Sequence, residues 1–117
     1  TNTKNEISIA LSSTIDKTGF SEAVVLKLFH SYINSSDSLM NLYKNGLNNT
    51  DYTLIARSTH NIKSTALLLN LDEIGSLAST VEEKANNEED FDYKSIYDLF
   101  QKHFIELKEY FNSINNT

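Results

Sequence analysis

His60 is the residue of this chain whose type and setting come nearest to chemistry. It lies in Ala56-Arg57-Ser58-Thr59-His60-Asn61-Ile62-Lys63-Ser64-Thr65-Ala66, with Arg57 at i−3, Lys63 at i+3, Ser64 at i+4 and Leu67 at i+7. A helix turns about 100° per residue, so Ile55, Thr59, Ile62, Ala66 and Leu69 form an apolar seam centred roughly 140° from His60. The imidazole is thus turned away from the core and set between two cations. Such a group suits acceptance of a phosphoryl group from another macromolecule. The ring must be exposed so that the donor can approach in line. An exposed imidazole is ordinarily largely neutral near pH 7 and offers a lone pair. A neighbouring cation, here Lys63 and more loosely Arg57, stabilises the charge the product gains. Ser64 keeps the adjoining surface low, and Leu67 and Leu68, both off the seam, supply apolar docking area, packing against a neighbouring helix being the other reading of Leu67.

No other titratable cluster matches this. His30 and His103 lack a flanking lysine and small residue, and are expected at the bundle boundary or surface. His103 and Glu106 stand at i, i+3, but metal sites in helical bundles need matching Glu-x-x-His repeats, and the chain contains none. No metal or cofactor is therefore expected. The acidic run Glu82, Glu83, Glu88, Glu89, Asp90 and Asp92 is expected to be a solvated helix end and loop, with Glu82 capping or orienting locally.

The elements that must hold His60 in place are helices. With no proline and three glycines in 117 residues, long helices joined by short polar turns are favoured. Ile7, Ile9, Leu11 and Ile15 suggest a short N-terminal helix before Lys17-Thr18-Gly19. Ser21 can cap a long helix to about Asn48, with Val25, Phe29, Tyr32, Leu39, Tyr43 and Leu47 inward and Ser36 filling a gap. The Ser35-Ser36-Asp37-Ser38 patch can bend or interrupt it. Thr50 or Asp51 caps the His60 helix, which should stop near Asn70 in a left-handed cap. Asp72 can cap a further helix with Ile74, Leu77, Ala78, Val81 and Ala85 inward. A last helix runs from about Asp92, its seam being Tyr93, Ile96, Phe100, Phe104, Leu107, Phe111 and Ile114. The expectation is all-α: an antiparallel four-helix bundle with a short additional N-terminal helix, one domain over 1–117 (1–19 helix and turn, 20–117 bundle). The chain starts without methionine, which suggests a piece of a longer protein.

Composition narrows the function. Without cysteine there is neither a disulfide nor a thiolate metal site. A net charge of −6 disfavours nucleic acid and anionic membranes as partners. No apolar run approaches the roughly 18–20 residues of a membrane span, so a cytoplasmic, monomeric domain is expected.

His60-Asn61-Ile62-Lys63-Ser64 resembles the His-x-Leu/Ile-Lys-Gly/Ser signature of histidine-containing phosphotransfer (HPt) domains. The likeness continues through Asn70, Ile74, Leu77, Val81 and Glu82 downstream and through Phe29, Leu39, Leu42 and Leu47 upstream, spanning roughly residues 20–86. Ser64 and Asn70 stand where glycine is common in that family, and Thr59 where alanine is; none of these removes a functional group. The resemblance implies a phosphorelay intermediate: His60 phosphorylated by a receiver-domain aspartyl phosphate, then passing the group to another receiver. Lys63 would stabilise phosphate, and Arg57, Ser64, Leu67 and Leu68 would face the partner. It also implies that response-regulator receivers, supplying Mg²⁺, and a hybrid sensor histidine kinase are the partners, and that the domain has no ATP site. Two other readings fit the residues: a helical adaptor that never carries phosphate, and the phosphoacceptor domain of a chemotaxis-type kinase.

Overall fold

The structure, a computed structural model, describes residues 2–115 and the side chains of residues 4–114; the ends of the expected domain, Thr1, Asn116 and Thr117, lie outside the described residues. The described chain is all-helical: α1 (Asn2–Thr18), α2 (Glu22–Asn34), α3 (Ser36–Asn49), α4 (Tyr52–Leu68), α5 (Asp72–Asn86) and α6 (Tyr93–Asn115). None of these is long and apolar enough to cross a membrane.

Local side-chain chemistry starts and stops these helices. The Ser21 hydroxyl accepts from Val24 N–H at 3.3 Å, and Asp51 Oδ1 accepts from Thr53 and Leu54 N–H at 3.0 and 3.3 Å. Asp92 Oδ1 does the same for Ser95 N–H at 3.1 Å. Asp72 does not cap α5 as the spacing suggested. The position before the helix is Leu71, without a side-chain cap, and Asp72 lies in the first turn, where the helix dipole favours its charge. Thr50, Asn70 and Glu88 close α3, α4 and α5 respectively with positive φ of 50°, 61° and 53°.

The expected single helix from Ser21 to Asn48 is two. Ser35 folds its hydroxyl onto Tyr32 O at 2.7 Å, and its N–H is shared between Ser31 O and Tyr32 O. The two pieces still act as one side of the core against α6. Phe29 meets Phe111 at 5.5 Å between ring centroids, Tyr32 meets Phe104 at 5.1 Å and Tyr43 meets Phe100 at 5.8 Å. Numbers rise along α2 and α3 as they fall along α6, so α6 runs antiparallel to both. The α6 seam is buried from Tyr93 to Phe111, but Ile114, placed on it by spacing, is exposed.

Ser36, expected to fill the seam, is buried with its Oγ lacking any hydrogen-bond partner. A buried hydroxyl that has given up water for nothing is a net cost. Ser36→Ala should therefore stabilise the fold by about 1 kcal/mol, with alanine's helix propensity adding in the same direction. The check is a urea midpoint that rises at unchanged slope; a lower midpoint would show the hydroxyl to be satisfied in solution.

Helix α1 is longer than the short segment expected, and Ile9, one of the apolar residues that suggested it, is 65% exposed. Its buried stripe is Ile7, Ala10 and Thr14. Asn70 fastens its end: Asn70 Nδ2 donates to Thr14 Oγ1 at 2.9 Å, and Lys17 Nζ donates to Asn70 Oδ1 at 2.8 Å. One asparagine thus turns the chain after α4 and ties α1 to that turn.

Candidate functional site

Two glycines set the depth at which α4 sits between its neighbours. A Cβ on Gly46 of α3 would lie 2.7 Å from Ile55 Cγ1 and 3.0 Å from Asp51 O; one on Gly75 of α5 would lie 2.6 Å from Leu67 Cδ2. Both pairs of helices therefore approach closely only because no side chain intervenes. Leu67 packs over Gly75, and seven residues N-terminal His60 meets Glu82, seven residues C-terminal to Gly75. Hence α4 and α5 run antiparallel, and an acid near the end of one comes beside the middle of the other.

The seam residues Ile55, Thr59, Ile62, Ala66 and Leu69 are all buried, and the His60 side chain on the opposite side is 57% exposed. Its Nδ1 lies 2.8 Å from Glu82 Oε2, and Lys63 Nζ lies 2.5 Å from Glu82 Oε1. The Glu82 side chain is only 16% exposed. Burial alone would raise its pKa; hydrogen bonds from Lys63 and then His60, with their charges, outweigh that and hold it below the ordinary carboxylate value. An ionised carboxylate only accepts, so Nδ1 carries the hydrogen and donates. In the neutral ring, Nε2 then holds the lone pair. A carboxylate orienting a histidine through Nδ1 is the same arrangement that readies the base of a catalytic triad.

The remaining expected site residues fall around this trio. The Ser64 hydroxyl turns back to donate to His60 O at 3.0 Å, which keeps that surface low. Arg57 is exposed and makes no ion pair among the described residues. Leu68 is exposed, while Leu67 does two things at once: it packs on Gly75 and still leaves 44% of its surface open. Arg57, His60 and Glu82 line an open cleft that continues past the Asn49-Thr50-Asp51 turn to Asn86 and Glu88.

No family model, curated protein or solved structure matches this chain. The site accordingly stands on its own geometry.

Glu82 is the member of this trio that the spacing around His60 did not pick out. It stands 22 positions downstream, and only the register of the resemblance marked an acid there. His103, expected at the boundary or surface, lies at the boundary, partly buried, with its Nε2 2.8 Å from Tyr32 Oη. His30 lies against Phe111 with ring centroids 5.3 Å apart. Neither has an acid partner among the described residues.

Proposed function

We propose that this chain is a phosphotransfer module of the HPt type, a four-helix bundle in which α2 and α3 form one member, α4, α5 and α6 the others, and α1 is the addition. His60 accepts a phosphoryl group from a receiver-domain aspartyl phosphate and hands it to a second receiver aspartate, as the signature it resembles implies. The observation that carries this reading is the Nδ1–Glu82 hydrogen bond, which leaves Nε2 exposed as the nucleophile.

The chemistry balances with the groups at hand. The Nε2 lone pair attacks phosphorus, the P–O bond to the donor's carboxylate breaks, and that carboxylate leaves with its electron pair. The ring becomes a phosphorylated imidazolium whose Nδ1–H remains on Glu82, so the carboxylate offsets the positive charge as it develops. Lys63 anchors the other oxygen of Glu82 and places a cation near the incoming phosphate. In return transfer the receiver's aspartate attacks and the imidazole leaves. Arg57, Ser64, Leu67 and Leu68 form the surface the receiver covers, and the receiver brings Mg²⁺. The domain acts as a cytoplasmic carrier, not as a kinase.

The direct test is incubation with a phosphorylated receiver domain, followed by mass spectrometry. Gain of one acid-labile, base-stable phosphoryl group supports the carrier. Complex formation without mass gain would replace it with an adaptor. Gain only from ATP and a separate kinase domain would replace it with the chemotaxis-type assignment. Within the carrier reading, Glu82→Ala should slow transfer about tenfold or more, because the ring loses the acceptor that fixes its tautomer, while receiver affinity is kept. Unchanged single-turnover rates in Glu82→Ala would remove that carboxylate from the mechanism.

A further inference from the structure

A second surface lies away from His60, where α1, α5 and α6 leave a groove between them. Its lining is mostly apolar. Ile7, Ala10 and Leu107 form buried parts of it, Ile74 and Leu77 are half-buried along α5, and Ile9 and Leu99 stand out at 65% and 48% exposure. With a volume of about 750 Å³ it has room for several large side chains. No contact used by the proposed phosphotransfer site reaches it.

The charges around the groove say what would cover it. Glu6, Asp72, Glu73 and Glu106 line it, against a single lysine, Lys102, which sits 3.9 Å from Glu106. Glu6, Asp72 and Glu73 form no ion pair among the described residues. The first turn of α5 accounts for two of these acids through the helix dipole, but not for Glu6, which comes from a different helix. An apolar floor beneath acids from three helices repels a second copy of this chain, whose net charge is −6, and repels an anionic membrane. It is complementary to an amphipathic helix carrying leucine-like residues on one side and lysine or arginine on the flanks.

We infer that the α1–α5–α6 groove is a docking site for a basic amphipathic helix of a protein partner, separate from the His60 surface. The inference does not rest on the phosphotransfer reading. The test uses the intact chain and two labelled 18-residue peptides with the same leucine stripe, one with lysine and one with glutamate on the flanks, read by fluorescence anisotropy. The lysine peptide should bind and the glutamate peptide should not. Leu99→Asp and Ile9→Asp, at exposed positions where the fold is spared, should each weaken binding about tenfold or more, because they place a charge on the apolar floor. Glu6→Lys with Glu73→Lys should weaken it similarly and flatten its salt dependence. Glu22→Lys and Glu88→Lys, outside the groove, control for the overall acidity and should change little, as should His60→Gln.

No binding of the lysine peptide, equal binding of both peptides, or equal losses from the groove and control reversals would each overturn the proposal. Binding to phosphatidylcholine–phosphatidylglycerol vesicles that Leu99→Asp abolishes would overturn it too, by assigning the groove to lipid. Loss of peptide binding in His60→Gln would contradict the claim that the two surfaces are separate, whatever the outcome for phosphate transfer.

Discussion

His60→Gln is expected to abolish phosphoryl uptake from a receiver while leaving stability within about 0.5 kcal/mol of the parent, as for an exposed position away from the core. Glutamine is uncharged, tolerates a helix and still offers an N–H toward Glu82, so the α4–α5 contact keeps a partner. What it lacks is a nitrogen lone pair that can form and release a bond to phosphorus. A loss of all acid-labile label with an unchanged thermal midpoint would confirm the assignment. Undiminished labelling would end it, and labelling that persists at His30 would move the acceptor to α2. Lys63→Ala provides the contrast. It removes the cation but not the nucleophile, so transfer should continue, more slowly and with a shorter-lived product.

Acid should unfold the protein earlier than its carboxylates alone require, and His103 is the reason. The ring is partly buried against Tyr32 and Phe104, and burial lowers its pKa from 6.5 to about 4. In the unfolded chain the ring protonates near pH 6.5; in the folded protein it stays neutral to about pH 4. Between those values the unfolded state binds more protons, so stability falls as pH falls through that window, by on the order of 3 kcal/mol in all. Burial also pushes the Tyr32 phenol above its usual range, so the hydroxyl stays un-ionised beside the imidazole nitrogen throughout. Glu82 adds a loss of the same sign at lower pH, because its folded pKa lies below its unfolded one. Urea midpoints measured from pH 7 to pH 4 should slope steeply for the parent and much less for His103→Gln. Parallel slopes would show that the ring charges without leaving its place.

The interior was legible from spacing wherever one helix carries a regular stripe. All five seam residues of α4 are buried as their periodicity implied, and the α6 seam holds from Tyr93 to Phe111 because nothing polar interrupts it. The exposure of His60 followed from the same wheel. Spacing within a helix says nothing of what a neighbouring helix brings, which is why Glu82 could be given only a local role. The His60–Glu82 contact depends on how α5 folds back, and Gly75 permits that through its closeness to Leu67. The break at Ser35 was visible as a polar patch, but choosing a break over a bend needed the Ser35 hydroxyl's bond to Tyr32 O. His103 could be set at the boundary but not given its partner, for a related reason: that partner is Tyr32, 71 positions away.

Because the acid that orients the imidazole arrives from a separate helix, a readied acceptor exists only once the α4–α5 hairpin has closed. A nascent or unravelled chain displays the same histidine with its proton free to sit on either nitrogen. Under the proposed role, damaged or half-made copies would then be poor sinks for phosphate, and signal would be drawn off mainly by molecules able to pass it on. Fidelity of this kind asks for no separate checkpoint; it is inherited from the way two helices meet.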